Sequence, residues 1–493
     1  MVDMSTQNTT YSLKLNSGSA TGKTNASARV VSLLLWLLFA ANLTGLIVMA
    51  NSSLYIQAGD WITFNHFSLL IWTTVTFFGA VVSTYAANYL KGFRYHSRFM
   101  GLTLTFTATV MLLVVANHLT LLVISWLLMG VLMSRLIGID KDWAEARAAS
   151  RFTLSYFLTG SLFLGVAVIG LALYTGQQTL SGLSIAVASA PKYVTLPAAL
   201  LIILAALVQS AIYPFHRWLM SAMTAPTPAS ALMHAGFVNG SGILLTLFAT
   251  VLFASNTLTL LFIIGGLTAI IAQFAKLLQV HVKQKLACST IAQMGFMIMQ
   301  CGLGFFNAAI AHLILHGFYK AYLFLSSGEE IAQSKPEKAP HLHIKPLQAV
   351  VVLIYGILGA MLFAILTGKG LNLNSSVFLT LIVAITVGQA TYNIVKEQSL
   401  STLQKTVLPP VLFFLGIGAY ALIYNGITFL MRDLPKPEQA LPLSWPQIIF
   451  GIIFLIGFFA MKLGLYHRLP WLYVKLLNLT QPHKKTVLLS KSK

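Results

Sequence analysis

Three titratable side chains recur every four residues in the apolar segment AAIAHLILHGFYKAYLFL, and they are the residues best suited to chemistry. His312, His316 and Lys320 would form one stripe on an α-helix, with neighbours about 6 Å apart along the axis. An imidazole accepts a proton on one nitrogen while donating from the other, so the stripe is suited to conduct protons. Alternatively, the histidines bond to neighbouring helices and the lysine extends to the membrane surface.

A second polar feature lies in PFHRWLMSAMTAPTPASALMHAGFVNGSG, which begins at Pro214. Pro226 and Pro228 lack backbone donors, so we expect a broken helix here, followed by His234. A break at membrane depth persists only where it is buried in protein or lines a hydrated cavity. The alternative is a loop between helices whose only role is packing.

The elements that position these residues are predicted to be membrane-spanning helices. The 493 residues are 57% hydrophobic and 9% charged, with a mean hydropathy of +0.80, outside the range of soluble domains. Apolar runs of about 18 to 25 residues predict an all-α polytopic membrane protein with about 14 transmembrane helices. These are expected to begin near Val31, His66, Met100, Leu119, Arg151, Leu196, Ser230, Leu258, Leu286, Asn307, Pro346, Val377, Thr406 and Pro446.

Three regions are expected along the chain. Residues 1–29 are polar, do not resemble a secretory signal, and are predicted to be a disordered cytoplasmic arm. Residues 30–470 are predicted to form a single transmembrane domain with a core of about 60–430, and residues 471–493 a basic cytoplasmic tail.

The formal net charge of +20 reports membrane topology rather than a nucleic-acid partner. With the N-terminus inside, the predicted inner interhelical loops and helix ends hold fifteen basic residues and the outer ones hold four. This asymmetry orients membrane proteins and favours contact with anionic lipid. We therefore expect a multi-pass protein of the cell inner (plasma) membrane, with both termini in the cytoplasm.

The sequence predicts no cofactor and no metal site. Cys288 and Cys301 lie in one predicted helix, about 20 Å apart, too far for a disulfide. Two thiols alone do not ligate an iron–sulfur cluster or a structural zinc. A GxxxxGK phosphate loop is missing, which argues against ATP-driven transport by this chain.

Carboxylates are almost confined to predicted loops, which favours protons over sodium as the conducted ion, because sodium prefers oxygen ligands. Glu329 and Glu330 follow the histidine helix and are candidate proton acceptors at its inner end, or ordinary solvated carboxylates. Lys283 precedes the ninth predicted helix and is either part of the pathway or an ordinary inner-loop lysine.

Two segments together resemble a known family. HRWLMSAMTAPTPASALMHAG resembles a motif of the antiporter-like proton-translocating subunits of respiratory complex I and of multisubunit cation/proton antiporters. KLACSTIAQMGFMIM followed by AAIAHLILHGFYKAYLFLSSG is similar to the second hallmark of that family. The resemblance extends over roughly residues 60–330. It implies two inverted five-helix repeats with discontinuous helices, a second break near Pro409 and Pro410, and pathway roles for His234, His312, His316, Lys320 and Lys283.

Within this superfamily, MHAGFVN and SSGEEI look most like the DabB family, the membrane subunits of two-protein inorganic-carbon pumps. The resemblance implies a complex with a DabA-like peripheral zinc protein on the cytoplasmic face. Hydration of CO2 would then take place on the partner, and this chain would be a transporter subunit that couples an ion gradient, of H⁺, to inorganic carbon uptake. The alternatives are a proton-pumping subunit of a respiratory or antiporter complex, and a scaffold that conducts nothing.

Two positions depart from the complex I pattern. That pattern has a glutamate where this chain has Leu127, and a lysine where it has Gln209. The Glu/Lys pair whose Coulomb coupling biases proton movement is therefore missing from the first repeat.

Overall fold

A computed structural model describes residues 26–327, 346–396, 401–462 and 470–487. Within these ranges the chain is almost entirely helical, apart from a short antiparallel hairpin of β1 (Tyr55–Ala58) and β2 (Ile62–Asn65), in which Tyr55 pairs with Asn65. The helices are α1 (Ala26–Met49), α2 (His66–Tyr89), α3 (His96–Val115), α4 (Leu119–Ile137), α5 (Ala144–Thr175), α6 (Leu180–Ala186), α7 (Lys192–Gln209), α8 (Arg217–Ser221), α9 (Thr227–Ala235), α10 (Gly240–Leu247), α11 (Ala249–Ala254), α12 (Leu258–Leu277), α13 (Val282–Gly302), α14 (Phe306–Leu325), α15 (Pro346–Thr367), α16 (Ser376–Lys396), α17 (Thr402–Leu430), α18 (Trp445–Lys462) and α19 (Pro470–Leu479).

The predicted class of an all-α polytopic membrane protein is confirmed. Among the described residues, 11 helices are long and apolar enough to cross a membrane, counting Thr227–Leu247 as one span. Each predicted start lies within seven residues of an observed helix start, the largest difference being Arg151 against Ala144. The helix α13 is more polar and is not among the 11, and α16 and α18 contribute shorter apolar segments. The count of 14 and the inverted repeats stay predictions.

The most buried helices lie in the middle of the chain. The segment Thr227–Leu247 is almost completely enclosed, whereas fewer than a quarter of the residues in the apolar windows of α1, α15 and α17 are buried. A peripheral helix with an exposed apolar surface is stable in lipid, because lipid tails solvate that surface as a protein core would. The polar residues that the sequence singled out therefore lie on the enclosed helices α9, α13 and α14.

The loops gather at two opposite ends of the bundle, as a chain that alternates between membrane faces requires. At the predicted outer end, Asn117 donates its backbone N–H to Trp61 O at 2.9 Å, and His66 Nδ1 lies 2.5 Å from Asp433 Oδ2. At the predicted inner end, His216 Nε2 donates to Leu479 O at 2.6 Å. Each of these three contacts joins groups at the same predicted end of the bundle.

The prolines of the first motif do not break a helix, which corrects the expectation for Pro214, Pro226 and Pro228. Pro226 is the N-cap of α9 and Pro228 lies in its first turn, where a backbone donor has no partner in any helix. Pro214 lies in the irregular connection between α7 and α8. The span is instead interrupted at Phe237–Asn239, a single 3-10 turn between α9 and α10.

The second break, expected near Pro409 and Pro410, is not observed there. The helix α17 runs without interruption from Thr402 to Leu430 and contains Pro409 and Pro410. Prolines are tolerated inside membrane helices when the freed backbone groups are satisfied locally or by neighbours.

The segment predicted to be a basic tail begins with the helix α19 and then packs against α5 and the inner connection between α7 and α9. The imidazole of His483 stacks on Phe152 with ring centroids 4.4 Å apart. Thr486 is buried, and its Oγ1 lies 3.0 Å from Ser221 Oγ.

Candidate functional site

The helix α14 carries the titratable stripe through the interior of the bundle. Lys320 is 0% exposed and His316 is 6% exposed, while His312 is partly buried. The rings of His312 and His316 are stacked with centroids 6.0 Å apart. The four-residue spacing therefore places all three groups in one file, because each turn of the helix returns to nearly the same face.

The ammonium group of Lys320 bonds to a backbone acceptor. Its Nζ donates to Leu286 O on α13 at 3.0 Å. None of the ion pairs among the described residues includes Lys320. A buried lysine held by a single carbonyl gains or loses its proton with little rearrangement of its surroundings, which is what a proton carrier needs.

His234 is connected to Lys320 through α13. Thr290 Oγ1 donates to Leu286 O at 3.0 Å, the same carbonyl that accepts from Lys320. His234 Nδ1 lies 2.9 Å from Thr290 Oγ1. Because the one hydroxyl proton of Thr290 is used, His234 must donate from Nδ1, and this leaves Nε2 as the basic nitrogen.

The contacts bring the two titratable groups close together. The successive distances of 3.0, 3.0 and 2.9 Å place Lys320 Nζ within about 9 Å of His234 Nδ1. The ring of His234 also stacks on Phe324 of α14 at 4.3 Å, and this fixes its plane. Neither His234 Nε2 nor either ring nitrogen of His316 has a hydrogen-bond partner among the described protein atoms.

Polar side chains from α7 and from the turn itself hold the interrupted segment at Phe237–Asn239. Gln209 Nε2 donates to Phe237 O at 3.2 Å, and Ser210 Oγ donates to Val238 O at 2.5 Å. Asn239 Nδ2 donates to Ala235 O at 2.7 Å. Gln209 thus serves the helix break, at the position where the complex I pattern has a lysine.

A cavity of about 820 Å³ lies beside the stripe, between α12, α13, α14 and the helices α15 to α18. At ~30 Å³ per molecule, this volume accommodates on the order of 25 waters. His312 lines the cavity, and Ser289, Gln293 and Gln300 give one wall a polar character. The lining extends from Lys276 near the inner end of α12 to Tyr424 near the outer end of α17.

The other residues predicted for the site have different positions. Lys283 donates from its Nζ to Ala225 O at 2.9 Å, which ties α13 to the start of α9. Glu329 and Glu330 lie outside the described residues. Among the described residues, no group of three or more His, Cys, Asp or Glu side chains could hold a metal ion.

Sequence reasoning missed Thr290 and the carbonyl of Leu286, which join the two halves of the site. The motif KLACSTIAQMG contains both residues and was the available signal. Their role was not apparent because a threonine within an apolar helix ordinarily bonds to its own backbone.

The comparisons with known proteins identify the family of this chain. The family described as "NADH:quinone oxidoreductase/Mrp antiporter, TM" matches residues 116–388. A probable inorganic carbon transporter subunit DabB from Bacillus anthracis is 33% identical over 348 residues, which cover 69% of this chain and 67% of the relative. The DabB2 subunit of Halothiobacillus neapolitanus is 31% identical over 422 residues, covering 84% of this chain and 71% of the relative.

The chain covers a smaller share of other DabB relatives and of a solved structure. Three further DabB subunits are matched over 50% to 62% of their length. The structure of the Mrp complex from Dietzia sp. shares the fold, with a TM-score of 0.62 and 22% identity over 92% of this chain and 57% of that chain. The family model matches more than half of the chain, and two DabB relatives of at least 31% identity are covered over two thirds or more of their length. The chain therefore belongs to the NADH:quinone oxidoreductase/Mrp antiporter membrane family and, within it, to the DabB subunits.

Proposed function

We propose that this chain is the proton-conducting membrane subunit of a complex that couples an ion gradient to uptake of inorganic carbon. The observation that carries the proposal is Lys320, a fully buried amine that has no carboxylate partner among the described residues. It lies within about 9 Å of His234 and on the same helical stripe as His312, which lines the cavity. A buried charge is costly in a membrane, and such groups mark ion pathways. The inorganic carbon part rests on the names of the DabB relatives.

The pathway follows the stripe. Protons reach His312 from the cavity, pass to His316 and then to Lys320, one helical turn at a time. Lys320 releases its proton toward the basic Nε2 of His234, which is free because Nδ1 donates to Thr290. From His234 the proton leaves at the inner end, where Lys283 joins α13 to α9.

The partner in this proposal is a DabA-like peripheral zinc protein on the cytoplasmic face, and it carries out the hydration of CO2. The predicted inner loops carry an excess of lysine and arginine, and this surface suits an acidic partner as well as anionic lipid. The membrane subunit itself catalyses no covalent step. The complex lies in the cell inner membrane with both termini of this chain in the cytoplasm.

The test replaces Lys320 by alanine in cells that depend on this pump for growth in air. We expect K320A to abolish gradient-driven inorganic carbon uptake while the protein is expressed at the normal level. The matched control is Lys91→Ala, which removes an exposed lysine from an inner loop and should leave uptake unchanged. Normal uptake by K320A rejects the proposal.

A proton-pumping subunit of a respiratory complex is the second candidate, because the matched family includes NADH:quinone oxidoreductase subunits. Two residues weigh against it. Leu127 and Gln209 replace the Glu/Lys pair of the complex I pattern, and Gln209 bonds to Phe237 O instead. Purification under mild conditions separates the candidates, since a soluble zinc protein supports the pump and flavin or iron–sulfur subunits support the respiratory complex.

A further inference from the structure

A shielded ion pair lies at the predicted outer end of the cavity and has no place in the pathway described so far. Lys369 Nζ contacts Glu438 Oε1, and their side chains are 15% and 24% exposed. Lys369 lies in the loop after α15, and its partial burial lowers the pKa of its ammonium group. Partial withdrawal from water carries a desolvation cost that the attraction within the ion pair must offset.

The loop that carries Glu438 is pinned across the junction between α13 and α14. Glu438 forms an isolated antiparallel bridge with Phe305, and Gln439 N donates to Gly304 O at 2.9 Å. Ser375 N donates to Leu441 O at 2.8 Å on the other side of the loop. Gly304 has a φ of +86°, which favours glycine. The carboxylate is therefore held in one place rather than carried on a free loop.

The second oxygen of the carboxylate contacts a residue of the cavity wall. Glu438 Oε2 accepts from Asn307 Nδ2 at 2.6 Å and from Tyr424 Oη at 3.3 Å. Tyr424 lines the same cavity as His312. The hydroxyl of Tyr424 therefore connects the partly exposed carboxylate of Glu438 to the wall of the cavity beside the stripe.

A second ion pair holds the same loop and can be compared with the pair of Lys369 and Glu438. Asp433, five residues earlier, pairs with His66 at 2.5 Å and lies near Arg432. The lining of the cavity includes none of the four paired residues, but Glu438 contacts Tyr424, which lines it. Both pairs hold the same loop, and among the described contacts it is the pair of Glu438 and Lys369 that reaches the cavity wall, through Tyr424.

We propose that Glu438 is the group that takes up protons from the outer side and delivers them to the cavity through Tyr424. This rests on the proposed function and names the outer end of the pathway, for which the stripe on α14 supplies no group. Lys369 and Asn307 are positioning residues that hold the carboxylate against Tyr424.

The step conserves charge and protons. A proton from the outer solution binds the Glu438 carboxylate, and the ion pair with Lys369 is lost. Glu438 then gives its proton to Tyr424 Oη while the original hydroxyl proton of Tyr424 passes to a water molecule in the cavity. Tyr424 is neutral again, Glu438 is again a carboxylate paired with Lys369, and the transferred proton continues to His312.

The test measures proton flux in vesicles that contain the intact complex, using a trapped pH-sensitive dye after an acid jump on either side. We expect E438Q to reduce the rate by about 100-fold, the scale for removing a proton-transfer group. The substitution preserves side-chain shape. Glu438→Asp keeps a carboxyl group and should recover a measurable part of the flux. Asp433→Asn is the matched control, because it breaks the neighbouring ion pair without touching the cavity, and it should conduct as the unmodified chain does.

Thermal unfolding in detergent separates a structural role from the proposed one. Cys288 and Cys301 are both buried, so a thiol-reactive dye reports unfolding of each variant. If E438Q is less stable but conducts normally, Glu438 is a structural link and the inference is overturned. If E438Q is inactive while E438D and D433N conduct, the inference stands.

The same vesicles test the proposed function separately. Flux by the unmodified chain and its loss in K320A support the proton pathway, whatever E438Q does. If the unmodified complex conducts no protons from either side, the proposed function fails and the assignment of Glu438 fails with it.

Discussion

A single backbone carbonyl organises the candidate site at the scale of residues. Leu286 O accepts from both Thr290 Oγ1 and Lys320 Nζ, and Thr290 in turn accepts from His234. The hydroxyl thereby determines which nitrogen of His234 is basic. A change at Thr290 should therefore affect ion conduction without removing any titratable group.

Thr290→Val tests this arrangement. The variant removes the hydroxyl at constant shape and leaves His234 Nδ1 buried without an acceptor, which costs about 1 to 3 kcal/mol. We expect proton flux to fall by about tenfold or more, because the imidazole is no longer held in one tautomer. Thr290→Ser keeps the hydroxyl and should conduct nearly normally, and equal flux in both variants would contradict the assigned role.

At the scale of elements, the interrupted segment between α9 and α10 depends on side chains of α7. Gln209 and Ser210 donate to backbone carbonyls of the turn Phe237–Asn239. Backbone groups at membrane depth need protein partners, since no bulk water reaches them. The polar end of α7 is therefore part of the structure of the break.

Gln209→Leu should destabilise the protein by about 1 to 3 kcal/mol, because Phe237 O loses a side-chain donor in a buried position. The measurement is thermal unfolding in detergent, followed by labelling of the buried Cys288 and Cys301. Gln57→Leu is the control, since Gln57 is exposed in the hairpin. An unchanged unfolding temperature in Q209L would mean that the turn is held by other contacts.

A second element of interest is the C-terminal segment that docks on the inner side. His216 lies in the connection between α7 and α8, and burial lowers its pKa to about 4. The imidazole is neutral when docked and donates from Nε2 to Leu479 O. The pKa of His483 is lowered as well, by partial burial and then by the nearby charge of Arg217.

Acid should release this segment. Between pH 6.5 and about 4 the undocked state of His216 binds more protons than the docked state, so docking is complete above pH 6.5 and weakens as the pH falls. The free energy that favours docking falls by about 2 kcal/mol between pH 7.5 and pH 5. Hydrogen exchange of residues 470–487 should accelerate accordingly, and His216→Gln, which keeps a donor but does not titrate, should show a smaller pH dependence. Equal acceleration in both proteins would assign the effect to another group.

At the scale of the whole molecule, contacts between distant loops agree with the alternation predicted from charge. The loop between α17 and α18 reaches the start of α2 through Asp433 and His66, and the same loop reaches the junction of α13 and α14 through Glu438. All of these loops belong to the predicted outer side. Which end faces the cytoplasm rests on the excess of basic residues.

Cysteine labelling tests the orientation. Lys141 and Lys192 are both exposed and lie at opposite ends of the bundle. A membrane-impermeant maleimide should label Lys192→Cys in intact cells but Lys141→Cys only after permeabilisation. The two natural cysteines are buried and should stay silent in folded protein, and the reverse labelling pattern would invert the topology.

The sequence by itself determined the membrane class, the approximate helix starts and the single file of His312, His316 and Lys320. These properties are local, because span length depends on consecutive apolar residues and a shared helical face depends on a spacing of four. Motif resemblance added the family. The prolines at 226 and 228 misled because their effect depends on whether they lie inside a helix or at its first turn.

Only the tertiary structure decided what each polar group contacts. Lys320 and Leu286 are 34 residues apart, His234 and Thr290 are 56 apart, and Asn307 and Glu438 are 131 apart. Such pairings form when whole helices pack, and no local pattern specifies which faces will meet. For that reason the file of titratable groups could be predicted from the sequence, while its connection to His234 and its outer end at Glu438 could not.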